Sequence, residues 1–338
     1  MCLNARSTHR PSPTRTGSAN PTRPSLDCDH SGRALTCCRR IAFRYMDVAV
    51  LGPALLDPFA PAPQGIWSGN GVRVQRRRGP HRAHAAVCTP RFCAHREGDA
   101  LTVEHDLTPD ELSDELAVLL TEELGATGVL HGQPDFESVF TGVVRSTVDG
   151  GMQAWLRFYR NSLHALESGT AAFAPIHQHA TELIIGRRVL DLGSCFGFFP
   201  LRLSRNGFDA TATDLSAPTM NLLARVSPKL HRPVRTVTCD AAGVPLPDAV
   251  ADTVTALHLL EHLDPDAGDA VLAEALRLAR RRVIVAVPFE DEPQVCYGHV
   301  RRFDTEALQH IAEKITRTHP VTASVGEHHG GWLVLDRY

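Results

Sequence analysis

The sequence predicts an α/β fold, with a mostly parallel sheet and helices on both faces over residues 186–338. A strand-and-helix extension precedes it. Three observations predict this. After Gly186, apolar runs alternate with helical patterns, as in βαβ units. The run Val189-Leu190-Asp191-Leu192 enters a glycine turn, Gly193-Ser194-Cys195-Phe196-Gly197, and then a helical stretch. Before Gly186, short alternating segments are followed by helical ones with no strands between them.

With 338 residues and 43% hydrophobic content, the chain can bury a large core in one or two domains. A net charge of -3 gives no global attraction to nucleic acid or anionic membrane, so neither is expected as a partner. No apolar run is long enough to predict a membrane span. Nine scattered cysteines do not resemble a disulfide framework, and a cytoplasmic location is expected. Neither Cys28, His30, Cys37 and Cys38 nor Cys88, Cys93 and His95 has paired zinc-ligand spacing. Both sets read as incidental thiols.

In chain order, residues 1–45 lack hydrophobic periodicity. They read as a disordered tail or an over-extended gene start ahead of Met46, without a secretory signal. Residues 46–185 form the extension, an accessory or substrate cap. Gly71–Gln75 and Leu101–His105 alternate like strands. Arg76, Arg77, Arg78 and Arg82 read as a solvated strand end rather than a phosphate site. A helix is predicted over 109–126, capped by Thr108, with Asp110 and Glu111 in its first turn and Gly125 as its stop. Further helices fit 134–148, 150–167 and 172–185. Trp155, Phe158 and Tyr159 recur at helical spacing and should face a core, and some could wall a pocket.

From Gly186, strands fit 188–192, 209–213, 234–238, 252–257 and 282–287. Helices fit 198–206, 217–227, 266–280 and 304–315. Strands 319–326 and 331–336 close the chain around Glu327-His328-His329-Gly330-Gly331, a hairpin turn.

The chemistry is carried by acids placed at strand ends. Three glycines would admit a pyrophosphate, but Cys195 and Phe198 stand at two of those positions. Asp191 would repel a pyrophosphate and attract a cationic ligand, such as the amino acid end of S-adenosylmethionine. Asp214 ends the second strand, about 20 residues on, where a carboxylate accepts ribose hydroxyls. Asp240 ends the third strand, suited to an adenine amino group, and Asp252 opens the fourth. All are expected on the carboxyl edge of the sheet, where open α/β sheets bind ligands.

The series VLDLGSCFG, ATATDLS and TCDAAGVPLPDAVADTVTALHLLEHL resembles the class I S-adenosylmethionine-dependent methyltransferases over about 186–338. That resemblance implies a Rossmann-like sheet of seven strands with the last antiparallel. It places Asp191, Gly193, Ser194 and Gly197 at the methionine moiety, Asp214 and Leu215 at the ribose, and Asp240 and Ala241 at the adenine. Glycine is usual in the family where Cys195 stands. Five further segments, LTEELGATGVLHGQPDFESVFTGVVRSTVDGG, WLRFYRNSL, LDLGSCFGFFPL, AVPFEDEPQVCYGHVRRFD and EHHGGWLVL, resemble the actinobacterial mycofactocin oligosaccharide methyltransferases. This resemblance implies O-methylation of a glucose hydroxyl, with a small glycoside as substrate. O-methylation of a lipid, a quinone or another glycan is the alternative, and NAD-dependent oxidation is disfavoured by Asp191, Cys195 and Phe198.

A sugar hydroxyl benefits from a general base, and histidine suits that role near neutral pH. His262 and His299 are the expected bases, with His258 close to the methyl donor. If helical, His258, Glu261 and His262 would share a face able to hold a divalent metal. No metal is predicted as required. Glu290, Asp291 and Glu292 complete that metal site, hydrogen-bond sugar hydroxyls or form a solvated loop. Cys195 is expected to pack in the turn rather than act as a nucleophile.

Overall fold

The computed structural model describes residues 57–77, 87–294 and 297–338. The readings made for residues 1–45, Arg78 and Arg82 lie outside them. The extension contains β1 (Ile66–Gly69), β2 (Val72–Arg76), β3 (Val87–Cys88), β4 (Phe92–Glu97) and β5 (Ala100–His105). They form one sheet in the order β1-β2-β5-β4-β3. Four helices follow: α1 (Leu116–Leu124), α2 (Gln133–Thr147), α3 (Gly151–Ser168) and α4 (Ala174–Leu183).

The predicted helix over 109–126 is interrupted. A 3-10 turn covers Pro109–Glu111, Leu112 is extended, and α1 starts at Leu116. The Asn161 side chain, from α3, donates to the carbonyls of Pro109 and Leu112 at 2.9 and 2.8 Å. A continuous helix would need those carbonyls for itself. The helical stretch also runs past Gly125 and stops at left-handed Gly128 (φ 72°).

Cys88 and Cys93 are not incidental thiols. They face each other across β3 and β4, five residues apart, and form a disulfide. Arg77 is paired with Asp106 at 2.9 Å, which gives that arginine a structural partner within the extension.

The second sheet has seven strands: β6 (Arg188–Leu192), β7 (Asp209–Asp214), β8 (Arg235–Thr238), β9 (Ala251–Leu257), β10 (Ala279–Val287), β11 (Val321–Glu327) and β12 (Gly331–Arg337). Their order is β11-β12-β10-β9-β6-β7-β8. β12 is antiparallel to both neighbours, and the pairs from β10 to β8 are parallel. Helices α5 (Phe198–Arg205), α6 (Ala217–Val226), α7 (Pro265–Leu278) and α8 (Thr305–Thr318) connect the strands. Asp264 and Asp304 cap α7 and α8 by accepting backbone N–H groups at 2.9 and 2.8 Å.

This is a Rossmann-like α/β fold with its topological switch between β7 and β9, the two neighbours of β6. Ligands of such sheets bind outside the carboxyl ends of the strands at that point. The extension and the sheet share a core. Trp155, Phe158 and Tyr159 are buried, and the Tyr159 ring lies 5.3 Å from that of Phe198 on α5. Among the described residues, no helix is long and apolar enough to cross a membrane.

Candidate active site

The glycine turn is built by close contacts. Gly193 and Gly197 have φ of 65° and 72°. A Cβ on either would stand 2.7 Å from Leu259 or 2.3 Å from Leu223. Cys195 sits between them at φ 48°, in the left-handed region. The family's usual glycine is therefore replaced here at a position whose backbone favours glycine. Cys195 is exposed as a residue. Protein packed around its sulfur, with Asp214 and Asp114 nearby, raises the thiol, which disfavours a nucleophilic thiolate.

The turn is fastened to the end of β7. Ser194 N–H donates to the Thr213 carbonyl at 2.8 Å, and Cys195 N–H donates to Asp214 Oδ2 at 2.9 Å. Ser216 N–H donates to Asp214 Oδ1 at 2.8 Å, so both carboxylate oxygens are held by backbone. Leu215, the next residue, is 55% exposed. Asp240 lies beyond β8, with Oδ1 accepting from Ala242 N–H at 2.8 Å, and Ala241 is half-buried beside it. Asp191 is buried at the end of β6, and Oδ1 accepts from the Thr255 hydroxyl at 2.6 Å.

Asp252 departs from its predicted place. It opens β9 and so lies at the amino edge, where it accepts the N–H groups of Arg187 and Arg188, each at 3.0 Å. It joins the strands rather than the site.

The field around the turn is negative. Burial pushes Asp191 up to about 6, with Asp214 adding to the effect. Burial also raises Asp214 and Glu137, and takes Asp114 to about 7. Asp114, Glu137 and Asp214 all act electrostatically on Cys195. Two of these acids, Asp114 and Glu137, come from the extension and were not identified from the sequence. The long-range packing that brings them to the turn leaves no local signature. The Tyr159 hydroxyl, also from the extension, is buried without a partner. Anions would be repelled here and a ligand with cationic groups stabilised.

At the neighbouring edge, His258 follows β9 at φ 54°, its N–H donating to the Ala286 carbonyl at 2.8 Å. Its ring lies 4.9 Å from that of Phe173. The expected helical face does not form. Only Leu260–His262 make a 3-10 turn, and His258 stands outside it. His262 instead meets His299, the ring centroids 4.7 Å apart at 90°. His299 Nδ1 lies 2.8 Å from Glu290 Oε2. Protein packed around the rings, with His299 adding to the effect, lowers both His258 and His262 to about 4, although His262 keeps an exposed side, so both are neutral at pH 7.

The extension walls this end. Thr121 donates to the Tyr297 hydroxyl at 2.8 Å, and the Phe136 and Tyr297 rings meet edge-on at 5.5 Å. The Gln133 amide packs against Gly298.

Residues 190–287 match the family model described as a methyltransferase domain. Over that stretch the chain carries a methyltransferase domain. No curated protein matches the chain. Among solved structures, a protein from Pyrococcus horikoshii is similar at 15% identity and TM-score 0.42, covering 49% of this chain and 89% of that one. Magnesium protoporphyrin IX methyltransferase from Synechocystis with bound SAH is similar at 16% identity and TM-score 0.38, covering 54% and 85%. A SAM-dependent methyltransferase from Aquifex aeolicus is similar at 16% and 0.38, covering 52% and 97%.

Proposed function

We propose that this methyltransferase methylates a hydroxyl of a glucose unit in the oligosaccharide of mycofactocin. The observation that carries the reading is where the narrower sequence resemblance falls. Its segments outside the glycine turn include those bearing Thr121, Gln133, Phe136, Tyr297 and His299, which meet on one rim beside His262. Thr121, Gln133, Tyr297 and His299 bring hydroxyl, amide and imidazole groups to that rim, which favours a glycoside over a lipid.

S-adenosylmethionine, when bound, supplies an electrophilic methyl group. Asp191, with Gly193, Ser194 and Gly197, would hold its methionine end, Asp214 and Leu215 its ribose, and Asp240 and Ala241 its adenine. The acidic field of Asp114, Asp191, Glu137 and Asp214 suits the ammonium and sulfonium charges. The protein orients the acceptor and removes its proton. His299, its Nδ1 held by Glu290, would present a free Nε2 as the base. His262 shares that edge, and His258 lies nearer the donor.

Comparison of glycosylated mycofactocin extracts from deletion and parent strains by mass tests this. Loss of the methylated species in the deletion strain is expected. Their persistence would direct the search to another acceptor, such as a lipid or a quinone.

A further inference from the structure

Glu261 stands at this rim without a hydrogen-bond donor to its carboxylate. Its residue is 0% exposed, and neither carboxylate oxygen has a hydrogen-bond partner. His258 Nδ1 is 3.4 Å from Oε1, and His258 Nε2 is itself buried and unpartnered. A buried carboxylate left without donors is costly unless a proton or a cation meets it.

The surroundings suit a cation. A carboxylate oxygen of Glu261 and one ring nitrogen each of His262 and His299 lie within 4.8 Å of one another. The fold enforces this meeting. The Glu261 carbonyl accepts the N–H groups of Val300 and Arg301 at 2.9 and 3.2 Å, which latches the segment bearing His299 onto the turn bearing Glu261. Glu290 holds His299 Nδ1 at 2.8 Å, leaving Nε2 as the free nitrogen. A carboxylate in that position is the usual means of orienting a metal-binding imidazole.

We propose that Glu261, His262 and His299 bind a divalent cation, with Glu290 orienting His299. Two imidazoles and one carboxylate favour Mn(II), Co(II), Ni(II) or Zn(II) over Mg(II) or Ca(II). His262 is exposed, so the coordination sphere is open on that side. The inference rests on the reading of this rim as the acceptor end and deepens it. An open cation there recognises two adjacent hydroxyl oxygens, a vicinal diol of a sugar ring, and lowers the pKa of the one that is methylated. His262 and His299 then hold the ion, the hydroxyl proton leaves to water on the open side, and His299 promotes its loss through the cation rather than as the direct base.

The test is titration of Mn(II) into the chelator-stripped full chain, with free ion read by electron paramagnetic resonance. One ion per chain is expected, weakened at least ~10-fold by H262A, H299A or E261Q, as for loss of a metal-supporting group. H262A alters an exposed side chain, so its fold should persist if E261Q fails to fold. No stoichiometric binding by the wild type overturns the proposal. So does binding that survives the H262A–H299A double substitution. That result would place the ion elsewhere, for example at His179, His328 and His329, whose successive rings are 4.5 and 4.8 Å apart. S-adenosylmethionine affinity on the same samples separates the two readings. A chain that binds Mn(II) at these residues but not S-adenosylmethionine keeps the metal site and loses the methyltransferase assignment.

Discussion

The Cys195 N–H donates to Asp214 Oδ2 at 2.9 Å, tying the glycine turn to the end of β7. The carboxylate proposed to receive the ribose is thus oriented before any ligand arrives. Such preorganisation lowers the cost of binding. Asp214→Ala should weaken S-adenosylmethionine binding by about 10- to 100-fold, the loss of charge-assisted hydrogen bonds worth about 1.5–3 kcal/mol. Isothermal titration measures it, and unchanged affinity would reject the ribose role.

Cys195 at φ 48° carries left-handed strain that a glycine would not. Cys195→Gly should leave stability unchanged or raise it by up to about 1 kcal/mol, strain relief being offset by the entropy of a freer unfolded chain. Chemical denaturation reads this directly. A clear loss of stability would mean that the Cys195 side chain contributes packing that outweighs its backbone cost.

The raised Asp191 gives a pH signature. Its folded value of about 6 lies above its ordinary 3.8. The ligand-free chain therefore gains stability from this group fully below pH 3.8, and loses it as pH rises through 6. A bound cationic group favours the ionised form and reverses the trend. Thermal stabilisation by S-adenosylmethionine should be larger at pH 7.5 than at pH 5. Equal shifts at both pH values would dismiss Asp191 as a contact of the charged end.

His105 and His177 act in the opposite sense. Burial lowers each to about 3, and His105 Nε2 is 2.8 Å from the Ser146 hydroxyl. Each contributes stability above pH 6.5 that is lost progressively as pH falls towards 3. His105→Gln should flatten the acid limb of the stability curve. An identical acid limb in variant and parent would argue against it.

Much of this was legible in the sequence because its signals are local. The alternation after Gly186 predicted β6 through β12, and strand-end positions marked Asp191, Asp214 and Asp240. Where the structure departs from expectation, contacts between distant segments are the cause. Asn161 breaks the helix predicted from Thr108, and only the folded chain brings Asn161 to those carbonyls. Asp252 opens β9, and in a parallel sheet that places it at the amino edge, away from the ligand side where an acid beside a strand is expected. Helical spacing groups His258 with Glu261 and His262; His258 does meet Glu261, but the partner of the His262 ring is His299, brought back by a distant segment. Asp114, Glu137 and Tyr159 join the cleft through packing of the extension, for which spacing offers no guide.

The proposed reaction is methyl transfer from S-adenosylmethionine to a sugar hydroxyl of mycofactocin. Purified enzyme, glycosylated mycofactocin lacking methyl groups and S-adenosylmethionine carrying a deuterated methyl group test it most directly by mass spectrometry. One labelled methyl group on a hexose fragment is predicted, formed at least ~100-fold more slowly by His299→Ala, the usual scale for loss of the group that promotes deprotonation of the acceptor, directly or through a bound cation. No label on any hexose, with S-adenosylmethionine bound to the enzyme, would contradict the account.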